Sequence, residues 1–174
     1  MNATRQVSAV VGVSQFMRRR RSKLGWSRIG GDGPVDVLTP SQRKRAMTAI
    51  RSKDTGPELA VRRVIHAMGL RFRLHRRDLP GTPDIVLPKW RLVVFVHGCF
   101  WHRHLRCRFA TCPATRPEFW QAKFRSTLDR DKRVMRRLRH LGWHVAIVWE
   151  CEARKPERIR RRIAQAIATL SGEN

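Results

Sequence analysis

Between residues 94 and 107 the chain reads VFVHGCFWHRHLRC. Three histidines, two cysteines and a Phe-Trp pair stand together there, directly after an apolar run. Imidazoles beside a carboxylate can activate water for hydrolysis, whereas thiolates with an imidazole hold zinc. The carboxylate for the first chemistry is Asp84, at the start of the apolar segment DIVL in GTPDIVLP. DIVLP (84–88) and RLVVFVH (91–97) read as two strands joined by a tight turn at Pro88-Lys89-Trp90. Asp84 begins one strand and His97 ends the next, and such positions lie near each other across an antiparallel pair. Asp84 is then the site for Mg²⁺, a hard cation that wants oxygen ligands. His102 follows the strand end on a loop, and an imidazole titrating near neutrality suits a general base. His97 is its companion. Glu58 sits in the first turn of a helix. It is either a dipole-favoured first-turn acid or a second carboxylate over the active site.

The second chemistry starts from His104 and Cys107, whose H-x₂-C spacing fits a structural zinc clip. Cys151 closes the strand HVAIVWEC and can return to the same place. The fourth ligand comes from the helix after Pro117. Trp120, Phe124, Leu128, Met135 and Leu138 form its apolar stripe, and Asp131 fills the gap in that stripe. A buried carboxylate needs a partner, so Asp131 is the expected ligand, with Cys112 as rival and an arginine ion pair as the other account. Cys99 is expected in the core. Phe100 and Trp101, between two histidines, suit a wedge that enters a DNA base step, with Trp120 beside them.

These side chains need a scaffold. Thr39 with Pro40 opens one helix, and Asp54 or Thr55 caps a second whose apolar face is Leu59, Val64, Ile65 and Met68, ended by Gly69. RFRLH (71–75) alternates as a strand does. A long helix runs from Pro117 to His140, HVAIVWE (144–150) is one more strand, and ERIRRRIAQAIATL (157–170) is a last amphipathic helix striped by Ile159, Ile163, Ala166, Ile167 and Leu170. The order α-α-β-β-β-α-β-α predicts an α/β fold, a mixed sheet flanked by helices.

The chain has 174 residues, enough for one domain with a real core. Its 38 Lys+Arg against 13 Asp+Glu give a net charge of +25, which points to a polyanion, nucleic acid first. Residues 1–35 read as a flexible basic arm or an extension from an early start codon, and the domain is 36–174. Without the arm's seven basic residues and one acid the balance is 31 against 12, still +19. No apolar run nears the roughly 18–20 residues of a membrane span. The apolar VSAVVGV (7–13) precedes the arginines at 18–21, the reverse of a secretory signal. Four cysteines in such a chain are expected as reduced thiols, some on a metal.

MTAIRSKDTGPE (47–58), LPGTPDIV (79–86), VFVHGCFWHRHLRC (94–107), PATRPEFWQAKF (113–124), RDKR (130–133) and GWHVAIVWECE (142–152) resemble, in order, the very-short-patch-repair (Vsr) mismatch endonucleases. The resemblance implies a restriction-endonuclease-like fold, a structural Zn²⁺, and a Mg²⁺-dependent strand nick on the 5′ side of the T in a T·G mismatch left by 5-methylcytosine deamination. It implies Asp84 as metal-binding acid with the Val96 main-chain carbonyl, His102 as general base, and His97 and Glu58 as companions. It gives His104, Cys107, Asp131 and Cys151 as the zinc set, Phe100, Trp101 and Trp120 as the wedge, and Met47 as a residue inserted from the other groove. Two departures stand out: Val96 where some members have Thr, and His104-x₂-Cys107 where some have His-x-Cys. Expected partners are mismatched double-stranded DNA and, as further candidates, mismatch-repair proteins. The protein is expected as a monomer in the bacterial cytoplasm, associated with the nucleoid. The competing reading is a non-catalytic, zinc-stapled DNA-binding module.

Overall fold

The computed structural model describes Thr39, Ser41, Gln42, Arg45 and residues 53–171. The expected arm at 1–35 and Met47 lie outside the described residues. Thr39 does cap a helical turn: its hydroxyl accepts from the Gln42 N–H (3.2 Å), and its own N–H donates to Gln42 Oε1 (2.8 Å). That exchange satisfies two amides that a helix start leaves without partners.

Helix α1 (Gly56–Ala67) begins at Thr55, whose hydroxyl accepts from the Glu58 N–H. Asp54, the other candidate cap, instead takes a left-handed conformation one residue earlier. Val64 and Ile65 are buried and Met68 packs against them as expected, but Leu59 is exposed and Val61 takes its place, with Glu58 buried on the same side. Gly69, at φ 70, breaks the helix where only glycine is unstrained.

Four strands follow the expected order: β1 (Arg73–Leu74), β2 (Ile85–Leu87), β3 (Leu92–His97) and β4 (His144–Trp149). A 3₁₀ turn at Pro88–Trp90 joins β2 to β3, and the two pair antiparallel with Ile85 opposite Val94. The 24-residue helix α2 (Pro117–His140) returns the chain so that β4 lies parallel to β3, with Leu92 opposite His144 and His97 opposite Trp149. A crossover of that length is what a parallel neighbour requires. Helices α3 (Glu150–Ala153) and α4 (Pro156–Ser171) complete the fold. It is a mixed sheet, β1-β2-β3-β4, flanked by helices.

Strand alternation sorts the core into two layers. Ile85, Leu87, Leu92, Val94, Ala146 and Val148 pack with Val61 and Ile65 of α1 and Ile159 and Ile163 of α4. Val86 and Val93, on the opposite face, pack with Leu79 and with Leu138 of α2. Each fully buried aliphatic side chain contributes about 1.5–3 kcal/mol. The same alternation puts Phe95 and His97 on the α2 face, so the end of β3 points its imidazole at the middle of α2.

Candidate active site and metal centre

A cleft of ≈ 1100 Å³ opens where α1, the end of the β2–β3 hairpin, the loop after β3 and α2 converge. Glu58, Asp84, Val96, His97, His102 and Asp131 line it, and so do Phe100 and Trp101. The register sets Asp84 one step beyond the Ile85–Val94 pair, level with Phe95 and not with His97. Its Oδ2 accepts from the Val96 N–H at 2.7 Å. Burial pushes the Asp84 carboxyl above its ordinary value, opposed by the Val96 N–H and reinforced by the charge of Glu58. Among the described residues it has no ion-pair partner. A desolvated carboxylate in that state gains from a cation, and Mg²⁺ needs only one or two protein carboxylates when it keeps waters and substrate phosphate oxygens. Asp84 therefore fits the part of metal-binding acid.

His97 is 7% exposed. Burial, and next the charge of His102, hold its imidazole down at about 3, so it is neutral near pH 7. The His102 ring stacks on it at 3.7 Å and 12°. His102 Nδ1 lies 2.5 Å from Asp131 Oδ2. Burial drives Asp131 up, but the His102 hydrogen bond and the surrounding positive charges win and leave its carboxyl below the ordinary value. An ionised carboxylate there accepts the Nδ1–H and fixes the tautomer whose Nε2 lone pair is the free base. Glu58, 5% exposed, is engaged on both oxygens: Oε1 accepts from the Thr55 hydroxyl (3.0 Å) and Oε2 from the Asp54 N–H (2.9 Å) and Arg62 (3.1 Å).

The zinc expectation needs a correction. Asp131 is not with the thiols, because its carboxylate is spent on His102. Cys112 is exposed and outside the group as well. The residue that joins His104, Cys107 and Cys151 is Cys99, and the four donor atoms lie within 4.8 Å of one another. Cys99 and Cys151 approach His104 Nδ1 at 3.6 and 3.3 Å. Consecutive turns coil the loop around them: His104 N–H donates to Cys99 O, Cys107 N–H to His104 O, and Ala110 N–H to Cys107 O. Arg103 and Arg106 take left-handed conformations to make those turns. Three sulfurs and one imidazole are the donors of a closed, four-coordinate structural zinc site, so the residues fit Zn²⁺.

The aromatic expectation concerns the same loop. Phe100 meets Trp101 at 5.1 Å, Trp120 at 5.4 Å and Phe124 at 5.2 Å. Phe119, which the sequence reading did not single out, is 59% exposed and sits edge-on to Trp120. Trp149 and Glu150 were also missed. Trp149 stacks on His104 (4.1 Å, 6°) and meets His97 edge-on, so one ring braces both centres. Glu150 Oε2 accepts from the Cys99 N–H at 3.2 Å. The available signal was that β4 ends beside His97 if it pairs parallel with β3.

The family model for the DNA mismatch endonuclease Vsr matches residues 35–108. The type II nicking enzyme V.XorIIP of Xanthomonas oryzae pv. oryzae is 53% identical over 118 residues, 68% of this chain and 86% of that one. The DNA mismatch endonuclease Vsr of Escherichia coli K12 is 44% identical over 125 residues, 72% of this chain and 80% of that one. The catalytic domain of homing endonuclease I-Bth0305I superposes with a TM-score of 0.47 at 18% identity, covering 67% of this chain and 98% of that chain. With these likenesses to nicking and mismatch enzymes, the cleft of acids and histidines in a +25 chain is that of a DNA endonuclease. The chain belongs to the Vsr DNA mismatch endonuclease family. No helix among the described residues is long and apolar enough to cross a membrane.

Proposed function

We propose that this protein nicks one DNA strand on the 5′ side of the T in a T·G mismatch arising from 5-methylcytosine deamination, in a Mg²⁺-dependent reaction. The observation that carries this reading is the Asp131–His102 pair, stacked on a neutral His97 and sharing one cleft with the buried acid Asp84. His102 Nε2 takes the proton of the attacking water, and Asp131 orients the ring and stabilises the imidazolium that forms. His97, kept neutral, supports the His102 ring without adding a second positive charge. Mg²⁺, held by Asp84 and the Val96 carbonyl, would supply charge neutralisation at the phosphate. Glu58, held by the Thr55 hydroxyl, shapes the wall beside Asp84.

Phe100, Trp101 and Trp120 enter the helix at the mismatch, where weakened pairing lowers the cost of unstacking. Met47 acts from the opposite groove. Cys99, His104, Cys107 and Cys151 would hold a structural Zn²⁺, which would fix the loop that carries both the base and the wedge. The endonuclease domain is 36–174, with 1–35 a basic arm, and the protein works as a monomer on DNA in the bacterial cytoplasm.

Asp84→Ala tests the reading. The variant is expected to bind a T·G duplex with the wild-type salt dependence, because that dependence comes from the basic surface, and to give no nicked product with Mg²⁺. Nicking by Asp84→Ala at the wild-type rate overturns it.

A further inference from the structure

Beside the cleft, at the start of α1, lies a partly buried ionic cluster that the reaction as written leaves without an explanation. Arg62 stands one helical turn beyond Glu58, and its side chain is 12% exposed. Nη1 donates to Asp54 Oδ1 at 2.5 Å and Nη2 to Glu58 Oε2 at 3.1 Å. Nη2 also lies 2.9 Å from His75 Nε2. A guanidinium has only donors, so His75 Nε2 is the acceptor in that contact. Donor atoms of Asp54, Glu58 and His75 lie within 4.8 Å of one another, a spacing that would suit a metal ion. Here a guanidinium fills that place.

Three features argue that this cation serves the cleft and not stability alone. Arg62 Nε is buried with no hydrogen-bond partner among the described residues, a cost that a purely structural ion pair has no reason to carry. Two of its three partners, Glu58 and His75, line the cleft. His75 is tied to the metal-binding strand, because its N–H donates to the Asp84 carbonyl.

We propose that Arg62 is a positioning residue of the cleavage site, a built-in cation that locks the Glu58 carboxylate and, through His75, braces the segment bearing Asp84. The inference rests on Glu58 belonging to the active site. Without Arg62, Glu58 keeps a buried charge lacking its counter-ion and turns away from its present position.

The test is a kinetic cycle on a T·G duplex with wild type, Arg62→Met, Arg62→Lys, Glu58→Gln and the Arg62→Met/Glu58→Gln double variant. Arg62→Met is expected to lose roughly 10- to 100-fold in kcat, as when a residue supporting an active-site ligand is removed, with KM for DNA unchanged. Arg62→Lys is expected to keep an intermediate rate, because one ammonium cannot span Asp54, Glu58 and His75 together. On the Glu58→Gln background, Arg62→Met is expected to cost no more than about twofold further, since the residue it acts through is already disabled. If Arg62→Met does not fold, Arg62→Lys carries the same cycle. Wild-type kcat in Arg62→Met, a loss confined to KM, or the full loss repeated on the Glu58→Gln background overturns the inference. Wild-type protein that ignores T·G and cuts another mismatch overturns the substrate reading alone, and the cycle is then decided on the duplex it cuts.

Discussion

Replacing Asp131 with Asn separates the two roles that this acid could have. The substitution keeps the size and the acceptor oxygen but removes the charge that holds His102 Nδ1 at 2.5 Å. The two side chains are 17% and 13% exposed, so solvent screens the pair little. A hydrogen bond to a charged group at such a site contributes about 1.5–3 kcal/mol. The imidazolium exists only once His102 has taken a proton, so the loss falls on the transition state. At about 1.4 kcal/mol per decade it predicts a roughly 10- to 140-fold slower nick. The assay is single-turnover nicking of a T·G duplex, enzyme in excess, Mg²⁺ saturating, between pH 6 and 9. Asp131 itself does not titrate there. Its folded value lies below the ordinary 3.8, so its ion-pair contribution is whole above that pH and is lost only as pH falls through the lower folded value. Duplex affinity and zinc content are expected to stay at wild-type levels. Nicking at the wild-type rate refutes the role in the pair, and loss of zinc from Asp131→Asn returns the residue to the metal.

Metal analysis gives the complementary result: Cys99→Ser is expected to lose the bound zinc, while Cys112→Ser retains one zinc per chain. Zinc retained by Cys99→Ser and lost from Cys112→Ser reverses that assignment. Burial, with the charge of His102 second, holds His97 at about 3 against an ordinary 6.5. The unfolded chain then binds a proton that the fold refuses, so this group costs stability as pH falls from 6.5 toward 3 and contributes no slope above that window. Denaturation midpoints measured across that window are expected to fall less steeply in His97→Gln, and an unchanged slope contradicts the buried, neutral assignment.

Where one element's own pattern decides the outcome, the sequence was legible. The β-branched runs in DIVLP and RLVVFVH located β2 and β3, and the Ile159–Ile163 stripe found the buried face of α4. Capping chemistry narrowed the start of α1 to Asp54 or Thr55, and Thr55 is the cap. Pattern failed where a partner on another element decides. Asp131 was rightly placed on the inner side of α2, but a helical stripe says only that a carboxylate is sheltered, not what shelters it. The choice between thiols and His102 depends on how the loop after β3 coils. That coil needs left-handed Arg103 and Arg106, residues whose type gives no hint of such a conformation. Cys99 was assigned to the core because a buried cysteine is ordinary. It is indeed buried, and its sulfur nevertheless faces the other three donors. Leu59 alone was misplaced on α1: it is exposed, and Val61 takes the inward position beside Val64 and Ile65.

The most direct measurement is strand-specific nicking of end-labelled duplexes carrying each mismatch in several sequence contexts, with Mg²⁺ and with EDTA. The predicted result is one nick, on the T-bearing strand and on the 5′ side of the T, in T·G duplexes with Mg²⁺, with matched duplexes and EDTA reactions left intact. A nick in the G-bearing strand, or equal cutting of matched and mismatched duplexes, contradicts the account.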